Sequence, residues 1–542
     1  MKARHAAWSR PAFVAGIGIA ALAASTSVQA GWQATASKAY ELDQATQLGT
    51  LPDTAPLHIV VALKLQDKAA LDDFLARSHT LGDRSYGATL SGAEFVARYA
   101  PSLRQVQTVT DYLQRAGFSN IEVAANRLLV TADAPPSAVE TAFATRLRQF
   151  GYGGRTVFAN VADALVPDTL GDVVLSVLGL QNADHARPAL AYPDARAQAS
   201  VTGHSPTAFA SIYDAAGVST GSGTTVGIVT DGDLTQTVAD LMAFEHQTGL
   251  SPALQFVPAE KNGTDTSGLD EWDLDSQSVL GISGGVGTLV FYNAASLNDP
   301  DLTVAYNNAV VQGRAKAINV SLGICEKSAY SDGAMAADDV IFSQAMAQGQ
   351  TFFAASGDGG ANTGCSGQKG LFKQVSYPAS SPYVVAVGGT TLSTNGNTWA
   401  GETAWSGSGG GVSVYEKKPG WQSFTSSAYR EVPDVAMDAD PNSGALVIVS
   451  GSSTQVGGTS LATPLSTGTW ARVESAHGGT LTFAAPLIYA AAKKTPLPFH
   501  DVTSGSNAPL LGLGGYKAGP GYDEVTGWGT FDVAAFSAVV GQ

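Results

Sequence analysis

The chain has 542 residues, 44% apolar and only 14% charged, with 30 Lys+Arg against 46 Asp+Glu. That length allows two to four domains and a large core. A net charge of −16 excludes nucleic acid and anionic membranes as electrostatic partners, and the scarcity of cations suits an acidic medium, where protonated carboxyls leave little self-repulsion.

Residues 1–30 read as a secretory signal peptide. Lys2, Arg4 and Arg10 form a basic start, Ala12 to Ala24 an apolar stretch, and Val28-Gln29-Ala30 a cleavage site. No later apolar run is long enough to predict a membrane anchor. Secretion is expected, with medium and periplasm both open. In an exported chain Cys325 and Cys365 pair by default as one disulfide; two buried free thiols are the alternative.

Residues 31–182 predict strands over 58–65, 120–123, 127–132 and 156–161, and helices over 67–78, 102–116 and 136–147, a ferredoxin-like α+β unit. Residues 183–203 carry two prolines, small residues and no period, and read as an exposed linker open to proteolytic nicking. From 204 onward strands over 224–230, 287–293, 317–321 and 351–355 alternate with helices over 234–246, 302–313 and 334–348. This is the α/β pattern of a doubly wound parallel sheet, whose functional residues gather at the carboxyl ends of the strands.

Four stretches carry chemistry. Gly457-Gly458-Thr459-Ser460-Leu461-Ala462-Thr463-Pro464 turns the backbone sharply and sets Ser460 near a helix start, where free amides face its hydroxyl; a plain capped glycine turn fits the octet equally. In Asp270-Glu271-Trp272-Asp273-Leu274-Asp275, Glu271 and Asp275 share one helix face. Such a pair shares a proton and can serve as base in acid, where imidazole is already charged; a solvated acidic face is the alternative. Asp358 follows an apolar strand in Ser356-Gly357-Asp358-Gly359-Gly360. When protonated it can donate to an oxyanion; otherwise it is a turn aspartate. Ser321, Leu322 and Gly323, with Gly409 and Gly410 opposite, offer strand edges for an extended peptide. No histidine sits in a His-Gly-Thr setting, although Asp231 after a strand leaves an ordinary Asp-His-Ser enzyme as a rival.

Together these stretches resemble the sedolisin family of serine-carboxyl peptidases. The resemblance implies a subtilisin-like catalytic domain over 204–542, a prodomain over 31–182 and maturation cleavage within 183–203. It implies an acid-acting endopeptidase, made as an autoprocessed proenzyme, whose partners are protein or peptide substrates and its own prodomain as inhibitor, the enzyme being monomeric. Ser460 would be nucleophile, Glu271 general base and acid, Asp275 its orienting partner and Asp358 the oxyanion acid. Asp501, Val502, Gly519, Gly521 and Asp523 match the family's single Ca²⁺ site, hard oxygen donors suited to that ion, and Cys325 and Cys365 its disulfide. Thr230 stands where many members carry a glutamate, and Gly457 where many carry serine. A catalytically silent binding scaffold is the remaining rival.

Overall fold

A computed structural model describes residues 31–193, 203–258, 263–362, 373–508 and 514–541. The expected signal peptide, linker residues 194–202 and Cys365 lie outside the described residues.

The N-terminal unit runs β1 (Leu57–Leu63), α1 (Lys68–Ser78), α2 (Leu103–Arg115), β2 (Ser119–Val123), β3 (Leu129–Ala134), α3 (Pro136–Ala142) and β4 (Val174–Leu178). Its antiparallel sheet has the order β2-β3-β1-β4. With α2 and α3 as crossovers this is the ferredoxin-like arrangement. Ser102 and Gln105 start α2 with reciprocal caps.

Two expectations are corrected. The helix over 136–147 stops at Ala142, because Ala144 turns to a positive φ of 46°. The chain then pairs Leu147–Tyr152 with Arg155–Asn160 as a hairpin outside the main sheet. The strand that closes the sheet is therefore β4, not 156–161.

The uninterrupted apolar run Ile59-Val60-Val61-Ala62-Leu63 has a simple cause. Ile59, Val61 and Leu63 face the unit's own core, while Val60 and Ala62 join the large core of the C-terminal domain. Both faces of the sheet are buried, so β1 shows no alternation. Asn126 helps hold this interface, donating to Asn307 at 2.6 Å and to Gln344 at 2.9 Å.

The C-terminal domain runs β5 (Thr225–Asp231), α4 (Thr235–Thr248), β6 (Ala253–Pro258), α5 (Leu269–Ser283), β7 (Thr288–Ala294), α6 (Asp299–Gln312), β8 (Ala317–Val320), β9 (Leu322–Cys325), α7 (Ala334–Ala347), β10 (Thr351–Ala355), β11 (Val385–Asn395), β12 (Thr398–Ala404), β13 (Val435–Asp438) and α8 (Thr459–Ala476). The main sheet is ordered β6-β7-β5-β8-β10-β11, with β13 parallel and β12 antiparallel beside different parts of β11. All its other pairings are parallel. Helices α6 and α7 carry the N-terminal sheet.

Two central helices position the site. Every residue of α5 from Glu271 to Ser283 is buried, as is every residue of α8 from Thr459 to Glu474. They meet where Gly468 leaves no Cβ, since one there would lie 2.6 Å from Ile282 Cγ2. The acidic run of α5 is thus an interior feature and not a solvated face.

Candidate active site

The octet folds as a positive-φ turn entering α8: Gly458 has φ 96° and Ser460 lies in the first helical turn. Pro464 sits inside the helix and cannot donate to the Ser460 carbonyl one turn back. The Ser321 Oγ lies 3.4 Å from that carbonyl.

Helix α5 brings Glu271 and Asp275 up to the same point. Both are buried, and neither meets a Lys or Arg. Burial first, then the adjacent Asp275 charge, raises Glu271 well above the usual carboxyl range. Burial also raises Asp275, against the pull of Ser321 and Asn319. The pair therefore retains a proton at neutral pH. Ser321 Oγ donates to Asp275 at 2.5 Å and accepts from Asn319 Nδ2 at 3.0 Å. Ser460 and Ser321 border Glu271 and lower its pKa, yet the Ser460 hydroxyl points at the Ser321 carbonyl, 3.2 Å away. A rotation about one bond turns that hydroxyl toward Glu271.

Asp358 follows β10 in a turn beside the start of α8. Its Oδ1 accepts from the Thr459 amide and hydroxyl, each at 2.8 Å, while Oδ2 has no partner. Burial pushes its pKa up to about 7, outweighing Thr459. A protonated Oδ2 is a hydrogen-bond donor beside the Ser460 amide.

The first half of the linker is not exposed, contrary to expectation. Ala183, Ala186 and Ala189 are buried, and residues 187–191 run through this cleft as an extended strand. Arg187 and Pro188 pair antiparallel with Gly323 and Leu322, and the Ala189 N–H donates to the Ser321 carbonyl at 3.2 Å. Ser321, Leu322 and Gly323 thus pair with an extended segment of the chain itself. Gly409 and Gly410 lie behind the Asp358 turn: the Gly409 amide donates to the Gly357 carbonyl at 2.7 Å, and a Cβ at 409 would stand 1.9 Å from the Ser356 carbonyl oxygen.

The remaining acids and histidines are engaged elsewhere. Asp273 faces Asp240 and is pushed up to about 9 by burial and then by that charge. Thr230 donates to Asn293, and Asp231 lies near Asp265 and Asp301. His204 packs on Phe209, His477 meets the Ser537 carbonyl, His500 stacks on Trp399, and His246 is exposed on α4. Sequence reasoning missed Asn319, Thr459 and the side-chain role of Ser321. The Asn-Val-Ser-Leu-Gly and Gly-Thr-Ser strings carried them, but only folding shows which carboxyl each one meets.

Near the C-terminus, Asp501 and Asp523 close on one loop. Gly521 N–H donates to both Asp501 oxygens, at 3.2 and 3.0 Å, and Gly519 N–H to Asp523 Oδ2 at 3.0 Å. Neither carboxylate has a cationic partner among the described residues. Among the described residues no three His, Cys, Asp or Glu side chains converge as ligands there either, so a cation would need backbone carbonyls, Val502 being buried alongside. Hard carboxylate and carbonyl oxygens fit Ca²⁺.

Comparison with known proteins identifies the family. The model for the pro-kumamolisin activation domain matches residues 43–183, and that for the subtilase family matches 275–514. Sedolisin from Pseudomonas sp. (strain 101) is 42% identical over 544 residues, covering 94% of this chain and 92% of sedolisin. The chain belongs to the sedolisin family. Xanthomonalisin from Xanthomonas sp. (strain T-22) is 44% identical over 88% of this chain, which spans 65% of that relative's length. The solved structure of Pseudomonas sedolisin, a serine-carboxyl proteinase complexed with two molecules of pseudo-iodotyrostatin, superposes with a TM-score of 0.59 at 45% identity, covering 62% of this chain and 98% of that one. The chain is accordingly a serine-type peptidase whose N-terminal unit is a zymogen activation domain. As a sedolisin-family site, the cleft has no room at Gly458. A Cβ there would lie 2.1 Å from the Ala189 carbonyl oxygen and 2.6 Å from Asp358 Oδ2. Gly458→Ala is expected to cut peptidase activity on an unfolded protein by about 100-fold or more while the chain still folds, the backbone strain itself costing ~1–3 kcal/mol.

Proposed function

We propose that this chain is a secreted, acid-acting serine-carboxyl endopeptidase, made as a proenzyme that processes itself. The observation that carries the reading is the carboxyl pair Glu271–Asp275 bordering Ser460, with no histidine among the described groups that act on either carboxyl. Ser460 Oγ attacks the scissile carbonyl and its proton passes to Glu271. Asp275, fixed by Ser321 and Asn319, shares the charge. Protonated Asp358 and the Ser460 amide receive the developing oxyanion. Glu271 returns the proton to the leaving amine, and water then hydrolyses the acyl-enzyme. Raising pH ionises Asp358 and turns a donor into a repelling charge. Digestion of an unfolded protein is expected at pH 4 and is lost as pH rises through about 7. A maximum near pH 8 in the purified enzyme would overturn the carboxyl mechanism.

Asp501 and Asp523, with the carbonyls of Val502, Gly519 and Gly521, are proposed to hold one structural Ca²⁺. The ion supplies charge neutralisation for the C-terminal loop and takes no part in the reaction. Chelation is expected to lower Tm by several degrees, since saturation at 100 times Kd contributes about 2.7 kcal/mol. A melting curve indifferent to chelator would remove the site. The prodomain over 31–182 is proposed to inhibit the cleft until acid processing within 183–203, and the mature enzyme to act as a monomer in the medium or periplasm.

A further inference from the structure

We infer that the first bond this chain cuts is its own Ala189–Leu190 bond, in cis, and that Asp270 selects a hydrogen-bond donor three residues beyond the cut. The inference rests on the proteolytic reading above and adds the register and a specificity residue.

Five backbone contacts fix the register. Arg187 pairs with Gly323 and Pro188 with Leu322. The Ala189 N–H donates to the Ser321 carbonyl at 3.2 Å, and the Ala189 carbonyl accepts from the Ser460 amide at 3.0 Å. Beyond it, Ala191 exchanges two bonds with Gly457, at 3.1 and 2.8 Å. The segment is thus held on both sides of a single peptide bond, and the Ala189 carbonyl is the one that accepts from the Ser460 amide. Successive carbonyls of an extended strand point to opposite sides, so a one-residue slip would turn the wrong carbonyl toward Ser460. Pro188 costs no bond, because Ala189 supplies the adjoining N–H on the paired side.

Past the bond, the Tyr192 hydroxyl donates to Asp270 Oδ2. Asp270 immediately precedes Glu271 on α5, so this contact ties the departing half of the peptide to the helix carrying the base. In the cut, Ser460 Oγ bonds to the Ala189 carbonyl carbon and the C–N bond to Leu190 breaks. The Ser460 proton ends on the Leu190 nitrogen. Water then releases Ala189 as a carboxylic acid and restores Ser460.

The test uses proprotein 31–542 shifted to pH 4 at concentrations spanning about 100-fold, with intact mass and N-terminal sequencing over time. The expected first product begins Leu190-Ala191-Tyr192, at a rate independent of concentration. An earliest cut elsewhere, with digestion of unfolded protein intact, overturns the register and leaves the proteolytic reading standing. No cut and no digestion sinks both. A concentration-proportional rate overturns the cis step. For Asp270, mature enzyme is given the peptide of sequence 185–193 with Tyr or Phe at the position of Tyr192. Phe is expected to raise KM about 5–10-fold with kcat nearly unchanged, as for a partly exposed charged hydrogen bond. That difference should vanish in Asp270→Ala, which leaves no acceptor for the hydroxyl. Equal KM values for both peptides with the wild-type enzyme overturn the assignment.

Discussion

Glu271→Gln and Ser460→Ala are each expected to lower kcat on an unfolded protein at pH 4 by about 10⁴-fold or more, the scale seen when one member of a cooperating catalytic set is removed. Gln is the sharper substitution. It keeps the shape of Glu271 and, because burial already holds the Glu271–Asp275 pair partly protonated, it adds no unfavourable charge. What it removes is the ability to take the Ser460 proton. His204, His477 and His500 are not free to replace it, being held by Phe209, Ser537 and Trp399. Melting at pH 4 should change by no more than a degree or two, separating a chemical loss from an unfolded one. Retention of a tenth of wild-type activity by Glu271→Gln would mean that another group is the base.

The second large effect concerns stability. Burial raises Asp358, Glu326 and Glu474 each to about 7 and Asp273 to about 9. Lys316 and then the Leu481 backbone oppose this at Glu474, and hydrogen bonds from Ser413 and Val414 at Glu326. The sign follows from linkage. A carboxyl with a raised folded pKa binds more protons in the native state, so stability falls as pH rises from about 4, where the unfolded chain ionises, to the folded value. At ~1.4 kcal/mol per unit, even a third of the shifts at Asp358, Glu326 and Glu474 together exceeds 3 kcal/mol. Ser460→Ala proprotein, which cannot digest itself, is therefore expected to melt roughly 3–4 °C lower at pH 8 than at pH 4, the unfolding entropy of so long a chain being about 1 kcal/mol per degree. A Tm that peaks near pH 8 would show that these carboxyls ionise freely.

Much of this molecule was legible in the order of its residues. The alternation of apolar strands and helices gave the parallel sheet because burial on both faces leaves continuous runs such as Phe352-Phe353-Ala354-Ala355 in β10. Periodicity placed Glu271 and Asp275 together because any helix puts residues four apart on one face. The glycines before Ser460 announced a turn because only Gly458 tolerates φ 96° there without cost. None of these local rules says how a segment is covered. The acidic run of α5 reads as a surface until α8 closes over it, and that closure is what raises its pKa values. Helix α3 stopped early because of a single positive φ at Ala144, a choice made by the hairpin that follows. The linker carries every mark of an exposed loop, and its composition is indifferent to the edge of β9 that captures it. Local propensity acts over a few residues, whereas the pairing of Ala189 with Ser321 and Ser460 joins parts of the chain more than a hundred residues apart. Only the tertiary structure could decide it.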